Sequence, residues 1–218
     1  MSRILVFASG SRSGGGSGFQ ELVENSRAGV LNGEIVAVVS QYPEGGVKKR
    51  ADALGIPFVH FERGGGVREY RDLVAAHNPD LVCLSGWVLR TAGLDPAMTI
   101  NIHPGPLPHF GGKGMYGHRV HEAVLAAFHE GRVTSSAVTM HFVTDEYDKG
   151  PVFFKYPVLI RPDDTPETLG SRVNKIEHAW QPFVTNLVLC GAVSWNGSDP
   201  HTLTAPSLIL SFLPVWLR

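Results

Sequence analysis

Ile4-Leu5-Val6-Phe7-Ala8 runs straight into Ser9-Gly10-Ser11-Arg12-Ser13-Gly14-Gly15-Gly16-Ser17-Gly18, and Phe19, Leu22, Val23 and Val30 follow at helical spacing. Five apolar residues without polar alternation make a strand buried on both faces, as in a parallel sheet covered by helices. A glycine-rich turn then leads into the first crossover helix. The same alternation repeats along the first hundred residues. Residues 34–39 read as a second strand. Residues 47–54 read as a helix with a basic face in Lys48, Lys49 and Arg50, stopped by Gly55. A third strand at 57–61, a helix at 67–76 and a fourth strand at 81–84 complete the series. This order predicts an α/β fold, a Rossmann-like doubly wound and mostly parallel sheet.

The second half changes character. A strand at 99–103 enters a loop rich in Pro and Gly, and 118–129 has the spacing of a helix. Residues 136–143 alternate, with Ala137, Thr139 and His141 against Val138, Met140 and Phe142. A turn at 145–150 and a strand at 151–160 make these an antiparallel hairpin at the sheet edge. Thr165-Pro166-Glu167 offers an N-cap, a proline at the first helical position and an acidic first turn, opening a helix that runs to residue 189. Neither an internal repeat nor a linker interrupts the chain, so one domain is expected at 1–196, followed by an apolar tail at 197–218. Pro206 and Pro214 interrupt the tail, which is too short to span a bilayer.

Composition narrows the function classes. The 218 residues are 43% hydrophobic and 18% charged, against roughly 25% charged in ordinary globular domains. The formal charge is −1 and the cations are scattered, which argues against a nucleic-acid face. Cys83 and Cys190 are the only cysteines, and Cys83 lies within an apolar strand, so no disulfide framework is implied. The apolar run after Met1-Ser2-Arg3 is too short for a signal-peptide core. The expectation is a cytoplasmic protein with no membrane partner, either a monomer or a homodimer.

Ligands of such sheets bind beyond the carboxyl ends of the strands, which directs attention to 10–18, 85–91 and 101–117. The glycine loop sits before a helix N-terminus, where free N–H groups and the helix dipole attract a phosphate. The dinucleotide fingerprint is not met, because Phe19 stands where its third glycine belongs. No Walker pattern occurs either, since Gly112-Lys113 is followed by Gly114. At the end of the 99–103 strand, Asn101 and His103 lie two apart and leave the same face. Asp145, Glu146 and Asp148 occupy the turn closed by Gly150. Taken singly, such a histidine is more often a satisfied structural group, and an acidic turn is usually solvated. His118 and His121, three apart on a helix, are the one candidate metal pair. No HExxH or paired-cysteine pattern accompanies them, so no metal is expected.

Taken together, Asn101-Ile-His-Pro-Gly-Pro-Leu-Pro108 and His141-Phe-Val-Thr-Asp-Glu-Tyr-Asp-Lys-Gly-Pro151 resemble the phosphoribosylglycinamide formyltransferase family. The likeness extends to the first strand with its Ser-Gly loop and to Arg172-Val173 and Glu177-His178. The resemblance implies a formyltransferase fold and transfer of the formyl group of 10-formyl-tetrahydrofolate to glycinamide ribonucleotide in purine biosynthesis. It implies Asn101, His103 and Asp148 as catalytic residues and Gly16, Ser17 and Gly18 at the substrate phosphate. It implies Glu177 at the substrate, and Arg68, Val88, Leu89, Arg90, Thr91, Asn101, His141, Val143 and Asp145 at the folate. Asp148 would then raise the pKa of His103 by favouring the imidazolium. Three departures stand out. The glycine loop is lengthened, with Gly18 where the family has asparagine. Gly105-Pro106 replaces Ser-Leu after the His-Pro pair. Trp87-Val-Leu-Arg90 replaces the usual folate stretch. The same three catalytic residues also serve formyl-tetrahydrofolate hydrolases and sugar-amine N-formyltransferases. A nucleotide- or folate-binding module without catalysis is the non-enzyme alternative.

Overall fold

The first strand, β1 (Ser2–Phe7), sends Ile4 and Val6 to one face and Leu5 and Phe7 to the other, all fully buried. That double burial makes β1 a central strand, as its unbroken apolar run predicts. The computed structural model describes residues 1–206; of the apolar tail expected at 197–218, residues 207–218 lie outside the described residues. The elements that follow are α1 (Ser17–Arg27), β2 (Gly33–Ser40), α2 (Gly46–Leu54), β3 (Phe58–His60), α3 (Val67–His77), β4 (Leu81–Ser85) and β5 (Thr99–His103). The second half adds α4 (His118–His129), β6 (Ser135–Phe142), β7 (Val152–Leu159) and α5 (Pro166–Leu189).

The seven strands lie in the order β3-β2-β1-β4-β5-β6-β7. Pairing is parallel from β3 to β5, and antiparallel at β5–β6 and β6–β7. The order reverses between β1 and β4, so the loops after these two strands flank the switch point where doubly wound sheets open a crevice. One face of the sheet packs on Phe19 and Leu22 of α1, Val120 and Val124 of α4, and Leu169 and Val173 of α5. The other face is smaller and aromatic, with Phe7, Phe61, Tyr70 and Trp87. Trp87 Nε1 donates to the Tyr70 hydroxyl at 3.0 Å, and that hydroxyl donates to the Arg90 carbonyl at 3.0 Å. The aromatic side therefore fixes the loop after β4.

Helix bounds follow local chemistry. α1 begins at Ser17, earlier than its first apolar residue, because left-handed Gly16 (φ 81°) turns the chain into the helix. α5 begins as expected at a Thr165 cap, with Thr168 completing a reciprocal box. In β6, Val138, Met140 and Phe142 enter the large core, but Ala137, Thr139 and His141 on the opposite face are buried too. The alternation there separates two buried faces, not core from solvent. After Asn196 the chain returns to the body through a Ser194–Thr204 bridge, and Leu203 and Ala205 pack on the core. No helix among the described residues is long and apolar enough to cross a membrane.

Candidate active site

Antiparallel pairing of β5 with β6 places Asn101 directly opposite His141 and His103 opposite Thr139. Asn101 Nδ2 lies 3.0 Å from His141 Nε2. Asp148 reaches the same point from the β6–β7 turn. Its backbone is left-handed (φ 54°), a conformation strained for most side chains but tolerated by aspartate. Its Oδ1 is 3.4 Å from His141 Nε2, and its Oδ2 is 3.8 Å from His103 Nδ1. The Gly112 N–H donates to Oδ2 at 2.8 Å. The structure thus brings together the three residues singled out in the sequence and adds His141, which was expected only at the folate.

Both imidazoles are oriented from behind. His103 Nε2 donates to the Phe110 carbonyl at 2.7 Å, and His141 Nδ1 donates to the Phe142 carbonyl at 2.7 Å. With those nitrogens protonated, the neutral rings turn bare lone pairs toward Asp148. Such an arrangement favours a proton held among the three groups. Burial alone would raise the Asp148 carboxyl. A proton shared with His141 or His103, together with the Gly112 N–H, outweighs it and holds the group below the usual carboxylate range. His103 differs from expectation. Burial lowers its pKa and outweighs the opposing pull of Asp148 and of the Phe110 carbonyl. The ring is only 3% exposed, so desolvation of the cation decides the direction.

Asn101 and Asp148 stand between two hollows. A cleft of about 750 Å³ contains Asn101, His103 and Asp148 at one end and the 15–18 loop at the other. A recess of about 40 Å³ beside it is lined by Leu89, Arg90, Thr91, His141, Val143 and Asp145 and shares Asn101 and Asp148 with the cleft. Of the expected folate residues, Val88 lines the larger cleft and donates its N–H to Ser9 Oγ at 3.0 Å. Arg68 stands apart and is not brought to either hollow. Its side chain is 87% exposed, 3.6 Å from Asp72. It sits in the first turn of a solvent-facing helix, and no neighbouring element folds over it.

The other end of the cleft is built from α1 and α5. Gly16, Ser17 and Gly18 line the cleft. Gly18 has a packing reason: a Cβ there would lie 2.3 Å from Ser85 Oγ and 3.2 Å from Gln181 Oε1. Those two side chains are themselves bonded at 3.1 Å, filling the space an asparagine would need. Ser17 Oγ pairs with His178 Nε2 at 3.1 Å. Gly170, Asn174, Glu177, His178 and Gln181 of α5 all face the cleft. Only Glu177 among them was singled out from the sequence, although their spacing of three to four residues is that of one helix face.

Burial pushes the Glu177 carboxyl up to about 7, against a small opposing effect of its hydrogen bond from Asn174. A carboxyl raised in the folded state leaves stability intact below its unfolded pKa near 4.5 and lowers it as pH rises toward 7. Glu177→Gln is therefore expected to raise the melting temperature at pH 8 by a few degrees, since each kcal/mol moves it about 2–4 °C in a domain this size. At pH 4 it should change nothing. Thermal melts at the two pH values check this, and an equal gain at both would exclude a charge effect.

His118 and His121 part company. His118 faces Glu122 at 3.2 Å and Glu167 at 3.6 Å, whereas His121 turns inward. Among the described residues no group of three His, Cys, Asp or Glu could hold a metal ion.

A doubly wound sheet carrying an amide, two imidazoles and a carboxylate at its carboxyl edge, between a large cleft and a small recess, defines a group-transfer enzyme of the α/β class. Residues 2–185 match the model of the formyl transferase family, and the chain belongs to that family. It is 34% identical over 205 residues to a chloroplastic phosphoribosylglycinamide formyltransferase of Arabidopsis thaliana, covering 89% of this chain and 68% of that one. It is 30% identical over 202 residues to the phosphoribosylglycinamide formyltransferase of Bacillus subtilis, covering 87% and 95%. The crystal structure of glycinamide ribonucleotide transformylase 1 from Symbiobacterium toebii superposes with a TM-score of 0.76 at 29% identity, covering 90% of this chain and 92% of that one.

Proposed function

We propose that this chain transfers the formyl group of 10-formyl-tetrahydrofolate to the amine of glycinamide ribonucleotide, a step of purine biosynthesis. The observation that carries the reading is the position of Asn101 and Asp148 between a recess on the donor side and a cleft that ends at a glycine loop and helix N-terminus. The names of the relatives support the same acceptor. Small molecules are then the partners, and two free cysteines accord with a reducing compartment such as the cytoplasm.

In this reading the acceptor amine attacks the formyl carbon, an oxyanion forms, and the bond to folate N10 breaks as that nitrogen gains a proton. Asn101 gives one amide hydrogen to His141 and has a second for the oxyanion. The 3.8 Å between His103 Nδ1 and Asp148 is too long for a hydrogen bond, and a substrate atom or a water seated beside the pair can bond both. Ionised Asp148 accepts the proton that the amine loses, directly or through that water. Charge developing on the oxyanion then favours passing that proton to His103, which burial holds neutral at rest, and the imidazolium delivers it to folate N10 as the C–N bond breaks. The arrangement thus responds to the transition state more than to the ground state.

The test is loss of 10-formyl-tetrahydrofolate absorbance with and without glycinamide ribonucleotide. Acceptor-dependent loss is expected. Equal loss in its absence would identify a hydrolase, and loss only with an amino sugar would identify a sugar-amine formyltransferase.

A further inference from the structure

His121 plays no part in the mechanism above, yet it lines the same cleft from α4. It is 7% exposed, and its Nδ1 is buried with no hydrogen-bond partner. Buried polar atoms are nearly always paired, so an orphan calls for a reason. With Nδ1 covered, Nε2 is the ring nitrogen left to meet a ligand in the cleft. The Cδ2–Nε2 side of the ring rests on α5 at Gly170, where a Cβ would come within 2.8 Å of Cδ2 and 3.0 Å of Nε2. Glycine inside a helix costs about 1 kcal/mol relative to alanine, and here it admits the imidazole. A bare lone pair is the less costly state for an unpartnered buried nitrogen, which puts the ring hydrogen on Nε2. Burial and the neighbouring His118 and His103 push the pKa down to about 4, so the donor stays uncharged at neutral pH.

Position selects what the donor meets. Gly170 lies eight residues before His178, about 12 Å along the helix axis, so His121 is remote from the Ser17–His178 phosphate end. Its neighbour Val120 instead meets Gly105, which His103 Nε2 also touches. Resting on the proposed acceptor, we infer that His121 is an acceptor-binding residue whose Nε2–H donates to the amide carbonyl of glycinamide ribonucleotide, one carbon from the attacking amine. The bond would aim that amine at the formyl carbon without placing a charge beside it.

The experiment measures steady-state kinetics for both substrates, with melting temperature, in His121→Leu and His121→Gln. Leucine fills the site without a donor, and glutamine restores an N–H near the Nε2 position. His121→Leu should raise KM for glycinamide ribonucleotide about threefold to tenfold, the worth of one neutral hydrogen bond. KM for formyl-folate should not move, and His121→Gln should recover most of the loss. An unchanged acceptor KM in His121→Leu, or two variants equally impaired and equally destabilised, would overturn the inference and leave a packing role. A wild-type enzyme that does not formylate glycinamide ribonucleotide would overturn the underlying function as well, so the two failures are distinguishable.

Discussion

Asp148→Asn is expected to lower kcat by about 10⁴, the loss typical when the carboxylate beside a catalytic imidazole is neutralised, while leaving the fold intact. Asparagine tolerates the left-handed backbone that Asp148 adopts at φ 54°. Its amide oxygen can still accept the Gly112 N–H that now bonds Oδ2 at 2.8 Å. What it loses is charge. The carboxylate faces His141 Nε2 at 3.4 Å and His103 Nδ1 at 3.8 Å, and only an ionised group there can take up the amine proton and support an imidazolium. The measurement is single-turnover formyl transfer at saturating donor and acceptor, with a thermal melt as the control for folding. A variant that melts like the wild type and turns over within about tenfold of it would exclude Asp148 from proton transfer, because losing even one oxyanion donor typically costs ~10²–10³.

Why the same residues were only partly readable in the sequence follows from where their contacts lie. Strands buried on both faces show as continuous apolar runs, so β1, β2 and β4 were legible from Ile4–Phe7 and its counterparts. The α5 cap was legible in three consecutive residues, Thr165-Pro166-Glu167. Asn101 and His103 also announced themselves, being two polar side chains on one face of an otherwise apolar strand. His141 was read as part of the donor pocket alone. Its place beside Asp148 depends on the β5–β6 register, which pairs residues forty positions apart. Asn174 and Gln181 escaped notice, and His121 was weighed only as half of a metal pair, because each is a polar residue on an amphipathic helix and nothing local shows which helix face meets the cleft. The protonation of His103 went the other way. Its neighbour Asp148 suggested a raised pKa, but the depth of burial, a property of the whole fold, reverses the direction. Gly18 was noted as a departure without a cause, and the cause is the Ser85–Gln181 pair supplied by β4 and α5. Local chemistry thus named the strand ends, and packing decided which side chains meet there and in what charge state.

The turn that carries Asp148 makes the strongest stability prediction. Gly150→Ala places a Cβ 1.8 Å from the Phe142 carbonyl oxygen and 2.6 Å from its carbon. Both are backbone atoms of β6, so no side-chain rotation relieves the clash, and the chain itself must move. The Phe142 N–H to Pro151 carbonyl bond, 3.1 Å, closes the hairpin at this point, and opening it disturbs the His141–Val152 pairing beyond. Forced overpacking costs typically 1–3 kcal/mol and occasionally more; with backbone on both sides of the contact, about 3 kcal/mol is expected. At about 2–4 °C per kcal/mol the melting temperature should fall by about 6–12 °C. Activity should fall further than stability, because Asp148 lies two residues away and a displacement of about 1 Å at a reacting group is worth ~10² in rate. Gly14→Ala is the matched control, since a Cβ there meets nothing within 4 Å and should change neither quantity. If Gly150→Ala melts and turns over like Gly14→Ala, the close approach at Phe142 is not what holds Asp148 in place. A loss of stability with kcat intact would show instead that the turn stabilises the hairpin without positioning the carboxylate.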